Sequence, residues 1–328
     1  MDAGKVVSML GSAMNQAPRV LVVGYSALDV NFSVHDLAAP DSKQEVEAIR
    51  LGGGGPGATA AVALSRLGAQ VRLVTPLTDD LPGRCQREEL LAAGVDLGLA
   101  PEYPGYQSAR AVILVHPATE ERTIYWSRGD LPHIPAALMD PAWLEETDLL
   151  YLDGHEPEAA LALAPLARRL GLPVVLDAGT VRAGSRELVA TCSDVIGSRR
   201  FAPDLTGEED PVLALQLLKE MGPARVGMTF GKGGVLGLAD EVPVAVPAHD
   251  VPVVDTTGAG DAFHAGYALA LAHGQDFPTC LRWGAGVAAL KCRGWGGRQA
   301  LPDLSCLTGF LRQASVRPLA PDLQPFAI

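Results

Sequence analysis

Between Asp255 and Gly266 the chain reads DTTGAGDAFHAG, a run of small residues carrying one acid at the start of an apolar, helical pattern. Gly258, Ala259 and Gly260 leave no bulk around the backbone, so several N–H groups can turn toward one ligand. The spacing of Ala262, Phe263, Ala265, Gly266, Ala268, Leu269 and Ala270 predicts a buried, tightly packed helix that begins near Gly260. A helix start with bare amides attracts phosphate. Asp261 would repel such a ligand unless it had a task beside it. Taking the proton of an attacking hydroxyl is one such task. Capping or charging the first helical turn, worth roughly 0.3 to 1 kcal/mol, is the other.

The segment from Val254 to Gly266 resembles the second signature of the ribokinase-like, or PfkB, carbohydrate kinases. That resemblance implies a GAGD turn that closes an ATP site, with Gly258, Ala259 and Gly260 in an anion hole and Asp261 as the catalytic base. GGGGPGATAAVALSRLGA, Gly52 to Ala69, is similar to the first signature. It implies that Gly54 and Gly55 lead into a small-residue helix beneath a sugar, with Thr59 where many members carry a sugar-binding Asn. Asp29, after the strand Val20 to Gly24, matches an Asp that binds two sugar hydroxyls; a carboxylate suits this because it accepts from both at once. A turn Asp on a loop is the bland alternative.

GVAALKCRGWGGR, Gly286 to Arg298, fits the family's last ATP-side helix and loop, so the resemblance runs from Arg19 to about Phe310. In wording the motifs most resemble the sulfofructose kinase subgroup. Sulfonate recognition calls for cations or amide donors near the far end of the sugar, and Lys43 is the residue placed to serve; a plain surface lysine is its other reading.

The same resemblance implies nucleotide contacts from TFGKGGV, in which Thr229, Gly231 and Gly234 would line the ATP site with Thr257, Gly258 and Gly260, and Lys232 would be either a contact or a solvated turn residue. Asp255 and Thr257 fall where relatives hold a monovalent cation, so a K⁺ ion there would order the anion hole; an Asx or Thr turn that only shapes the loop is the alternative. The family's Asn-x-x-Glu element, which holds Mg²⁺ through water, is replaced by Ser198, Arg199, Arg200 and Phe201. The Mg²⁺ ligands are thereby unassigned, with Asp261, Asp177 or water as candidates, and Arg199 or Arg200 read either as substitutes for metal charge or as a plain surface pair. His264 reads as a core or supporting histidine, and Trp283 and Trp295 as core.

These residues need a scaffold. Short apolar runs at 71–74, 111–115, 149–152, 174–176, 195–197 and 226–230 alternate with helical patterns at 58–67, 157–170 and 212–221. Such alternation predicts a three-layer α/β/α sandwich with a mostly parallel central sheet. Two stretches break the rhythm, about 31–51 and 105–130, and the second holds a hairpin pattern at 109–115 and 122–126. In the family they form a small β-sheet lid that often pairs two chains, which implies a homodimer. Residues 1–17 read as a loosely held tail ahead of one kinase domain, 18–328.

At 328 residues and 48% hydrophobic, the chain can bury a sizeable core. Its net charge of −12 argues against nucleic acid or anionic membrane as partner. No run of about 18 apolar residues suggests a membrane span. Five cysteines without metal spacing fit a reducing cytoplasm, and no GxSxG, HExxH or GxxxxGK[ST] motif occurs. The expectation is an ATP-dependent kinase acting on a primary hydroxyl of a small sugar. A nucleoside acceptor stacked on Tyr103, Tyr106, Tyr125 or Trp126 is the second reading, and a non-catalytic sugar or nucleotide sensor the third.

Overall fold

Strands that are apolar at every position suit a parallel sheet covered on both faces, because neither face needs a polar side. The computed structural model describes residues 16–116 and 121–328, so most of the expected tail lies outside the described residues. Its strands are β1 (Arg19–Val23), β2 (Ala27–Ser33), β3 (Arg50–Gly54), β4 (Gln70–Val74), β5 (Arg110–His116), β6 (Glu121–Ser127), β7 (Leu149–Leu152), β8 (Val174–Ala178), β9 (Asp194–Ser198), β10 (Arg225–Thr229), β11 (Val235–Ala239) and β12 (Val242–Val246). The helices are α1 (Pro56–Arg66), α2 (Leu81–Ala92), α3 (Pro157–Arg169), α4 (Ser185–Thr191), α5 (Phe201–Thr206), α6 (Pro211–Glu220), α7 (Ala259–Ala272), α8 (Phe277–Lys291) and α9 (Leu304–Gln313).

The central sheet has the order β12-β11-β10-β9-β8-β7-β1-β4. From β4 to β10 all pairs are parallel, and β11 and β12 add an antiparallel edge. Alternate residues feed opposite cores. Val20, Val22, Leu73 and Tyr151 pack with α1, α7 and α8, whereas Leu21, Val23, Leu150 and Leu152 pack with α3, α4 and α6. The α/β/α sandwich expected from alternation is therefore the fold observed. The short helices α4 and α5 were not legible, since six or seven residues hold too few helical repeats to show a period. Among the described residues no helix is long and apolar enough to cross a membrane.

A separate sheet of order β3-β2-β5-β6 covers the carboxyl side of β1 and the start of α7. β5 and β6 form the hairpin, in register from Arg110↔Ser127 to His116↔Glu121. This sheet takes in β2 from Ala27 onward, so Asp29 is a strand residue, paired with Gly52 and Ala111 rather than set in a loop.

Candidate active site

Gly258 caps α7 with φ 73°, a left-handed conformation that costs a residue with Cβ roughly 1 kcal/mol or more. A Cβ there would also lie 2.8 Å from Gly297 Cα, so the turn and the loop after α8 touch through backbone alone. α7 begins at Ala259, one residue before the expected start. The Ala259 N–H is committed to Thr256 O at 3.1 Å, so the first-turn amides left for a ligand are those of Gly260 and Asp261. His264, one turn on, holds this end in place: Nδ1 meets Gly260 O at 2.7 Å and Nε2 meets Ile196 O at 2.9 Å.

Asp261 projects from this first turn and stays partly accessible. Burial pushes its carboxyl up to about 7; Asp177 adds to the shift, His264 and Arg122 oppose it, and Asp153 adds again. A carboxyl poised near neutrality is the condition for a general base working at neutral pH. Asp177 does not reach out as a ligand, because it accepts from Tyr151 Oη at 3.0 Å and faces His264 Nδ1 at 3.3 Å.

On one side of the turn lies a cleft of about 920 Å³. Thr229, Gly231, Lys232 and Gly234 form one wall, Ala285, Ala288 and Ala289 of α8 another, and Ala259 and Gly260 its inner end. Thr257 and Gly258 of the expected nucleotide set are not on its lining, whereas Arg122 and Thr256 are. Arg122 comes from β6 and donates to Thr256 Oγ1 at 3.2 Å, so the small sheet places a cation over the turn. Trp283 is core, and Trp295 packs under Arg50 at 4.4 Å, so neither borders the cleft.

On the other side Asp29 is buried, and burial raises its carboxyl to about 7 against the pull of Arg298, with Asp261, Glu89 and Asp255 adding to the rise. A side chain at Gly54 would run into the Asp29 carboxylate. Arg298, itself buried, donates to Gly54 O at 2.6 Å and to Thr59 Oγ1 at 3.4 Å, and lies 3.5 Å from Glu89. This differs from the expected ATP-side place of the loop: α8 lines the cleft, but its following loop crosses to the Asp29 side. Asn31, two residues from Asp29 on the same strand face, is buried with Oδ1 unbonded. Asp153 ties the pieces together, accepting from Tyr25 N at 2.7 Å, Gly57 N at 2.8 Å and His155 N at 2.9 Å. Gly55, at φ 85°, caps α1. Lys43 is exposed and lines neither this side nor the cleft.

The family model described as pfkB family carbohydrate kinase matches residues 17–304. The chain belongs to this family. A ribokinase of Bacillus subtilis is 31% identical over 252 residues, covering 76% of this chain and 84% of its own. A nucleoside kinase of Methanothermobacter thermautotrophicus is 25% identical over 295 residues, 88% of this chain and 94% of its own. The solved structure of Arabidopsis thaliana ribokinase complexed with ribose and ATP superposes with a TM-score of 0.77 at 24% identity, covering 91% of this chain and all of that one (100%), a likeness of fold. The chain is thus a phosphotransferase of the kind that acts on sugars or nucleosides, and kinases of this family use ATP.

The PfkB fold implies two ions, Mg²⁺ and a monovalent cation. Where the family has Asn-x-x-Glu, Ser198 donates to Gly179 O at 2.8 Å and Phe201 is buried. Arg200 pairs with Asp204 at 2.6 Å and Glu209 at 3.2 Å, and Arg199 lies over Phe230, so the arginines are held on α5 and its neighbours. Among the described residues no three His, Cys, Asp or Glu converge to hold a metal. The described residues therefore build no protein cage for Mg²⁺, and an ion carried by phosphate oxygens and water needs none. At the monovalent-cation position Asp255 Oδ1 accepts from Thr257 N at 2.8 Å and Thr257 Oγ1 at 2.7 Å, and Oδ2 accepts from Gly296 N at 2.8 Å. Asp255 O accepts from the Lys291 ammonium Nζ at 2.7 Å, so a cation already sits against this loop. The Asx turn is real, and the site does not fit K⁺.

Arg298, Asn31, Arg122 and Lys291 escaped sequence reasoning. Only Asn31 had a readable signal, its period-two spacing from Asp29.

Proposed function

We propose that this PfkB protein transfers the γ-phosphoryl group of ATP to a primary hydroxyl of a small sugar or sugar derivative. The observation that carries the proposal is Asp261, a carboxyl poised near 7 on the first turn of α7, with the large cleft on one side and the Asp29–Arg298 cluster on the other. Nucleotide would lie in the cleft with its terminal phosphate on the amides of Gly260 and Asp261. Arg122 and Lys232 supply side-chain cations to the same cleft.

Asp29 would orient the acceptor by taking hydrogen bonds from two of its hydroxyls, with Thr59 and the Gly54–Gly55 turn beside it. Asp261 accepts the hydroxyl proton as the oxygen attacks phosphorus and the bond to the leaving diphosphate breaks. The small sheet covers both, which keeps out the water that competes with the sugar for the phosphoryl group. A homodimer joined through that sheet and a cytoplasmic address complete the proposal.

The test is ADP release with ATP and Mg²⁺ on a panel of pentoses, hexoses, ketose phosphates, sulfofructose and nucleosides. One strong acceptor is expected, and Asp261→Asn should lower its turnover by about 10² to 10⁴ while leaving the fold intact. Near-normal turnover in that variant removes Asp261 from the base role. A nucleoside is the second reading, favoured by Trp126, which is exposed and packs edge-on to Tyr25 and His155 beside β1. Tyr103 and Tyr106 pair with each other instead. Loss of nucleoside turnover, but not of sugar turnover, in Trp126→Ala would decide between the acceptors.

A further inference from the structure

Lys291 is the last residue of α8, and its side chain is wholly buried. Lysine pays heavily for such a place unless its charge is met. The charge is met by backbone oxygens: Nζ donates to Asp255 O at 2.7 Å and lies 3.5 Å from Gly294 O. The carboxyl end of a helix, where the peptide dipoles leave partial negative charge, favours a cation there. Burial lowers the pKa of the ammonium, and the Asp255 carboxylate works against that fall.

The two oxygens belong to the two loops that meet behind the catalytic turn. One is the strand-to-helix passage Asp255–Gly258, and the other is the 292–298 loop after α8. Other contacts also join them: Val254 N donates to Cys292 O at 2.8 Å, Gly296 N to Asp255 Oδ2 at 2.8 Å, and Gly258 abuts Gly297. A positive charge placed between carbonyls of both loops holds them together and so fixes the direction of the amides at Gly260 and Asp261. An ammonium and a potassium ion are alike in charge and similar in size, and carbonyl oxygens bind either.

We infer that the Lys291 ammonium is a built-in monovalent cation, which orders the anion-holding turn permanently and makes this protein independent of K⁺ or Na⁺. Lys291 is thus a positioning residue that acts through Asp255 and the turn. The inference rests on the reading of Gly258–Asp261 as a phosphate cradle, and it differs from a dissociable ion in one respect. A tethered charge is present at every salt concentration, so the turn is ordered before nucleotide arrives.

The experiment measures ADP affinity by calorimetry and Tm in chloride salts of K⁺, Na⁺ and tetramethylammonium at equal ionic strength, for the native protein, Lys291→Met and Lys291→Ala. Native affinity and Tm should agree across the three salts to within about twofold and a degree or so, since no ion binds to the folded state alone. Lys291→Met, which keeps the stem and loses the charge, should bind ADP about 10- to 100-fold more weakly in every salt, the factor set by loss of one charge-assisted hydrogen bond. Lys291→Ala opens room, and its ADP affinity and Tm should recover in K⁺ but not in tetramethylammonium.

A native protein whose ADP affinity or Tm rises severalfold or by several degrees in K⁺ overturns the inference, and so does a Lys291→Met that matches the native protein. A Tm loss equal in all salts with unchanged ADP affinity would mean a purely structural lysine and also overturns it. Should the alanine variant fail to fold, the native salt response and the methionine variant still decide. These readouts need no acceptor, so failure to phosphorylate any sugar would strike the proposed function and leave this inference standing.

Discussion

Burial raises the carboxyls of Asp261 and Asp29 to about 7, and in the proposed function the first takes a proton and the second holds hydroxyls. On that proposal each acts as the carboxylate, so kcat/KM should climb as pH rises from about 5.5 and level off above about 8, with the midpoint of the acid limb near 7. A limb centred near 4 would show that neither acid governs the rate. Stability should run the other way. An unfolded Asp ionises near 3.8, whereas folded Asp261 keeps its proton to about 7, so the folded state binds more protons between those values. Stability from this group is fullest below the lower value and is lost as pH rises through the upper one. Asp261→Asn should therefore gain on the order of 1 to 3 kcal/mol at pH 8 and less at pH 5.5, read by denaturant unfolding at both. The two acids stood out as candidates in the sequence because a carboxylate beside a glycine turn, or after a first strand, has few structural uses. Arg298 and Lys291 did not. Arg298 meets Gly54 across 244 residues of chain, and Lys291 closes an apolar helix in which a lysine reads as a solvated end.

At the scale of elements, the site depends on how closely α7 and α8 approach, and small residues set that distance. A Cβ on Gly284 would lie 2.8 Å from Phe263 O, and one on Gly266 2.8 Å from Trp283 O. The next residues of α8, Ala285, Ala288 and Ala289, line the cleft, so any shift of the helix is passed to the proposed nucleotide site. Gly284→Val should cost about 1 to 3 kcal/mol in urea unfolding, as overpacked cores do, and should raise the KM for ATP more than that for the acceptor. An unchanged KM for ATP would separate the helix spacing from the nucleotide cleft. The helical period of α7 and the alternation of strands with helices were readable because both repeat several times. The side on which the 292–298 loop ends was not, since a glycine-rich loop carries no period and its path is set by Gly297 against Gly258 and by the Arg298 bond to Gly54.

For the whole molecule the informative surface is the outer face of the small sheet. Register aligns Leu51 with Val30, Val30 with Val112, and Val112 with Tyr125, an apolar row running across all four strands. Leu51 is 64% exposed, Tyr125 57% and Val112 39%, which is a high price in water for side chains on a strand face. The opposite face carries Asp29 and Asn31 toward the site, so the sheet has one chemical side and one left to cover. A chain of net charge −12 repels its copies over most of its surface, and an uncharged row is where two could approach. Pairing two such rows would stiffen the sheet that holds Asp29 and brings Arg122 over the turn. Sedimentation equilibrium at about 10 μM, a concentration at which an interface of ordinary size is occupied, should therefore give a dimer for the native protein. Val112→Glu should give a monomer with a raised KM for the acceptor and little change in ADP affinity, because the nucleotide cleft is built mainly from the central domain. A native monomer at that concentration would sink the paired lid, and a monomeric variant with native acceptor KM would show that each lid holds its sugar without help from a second chain.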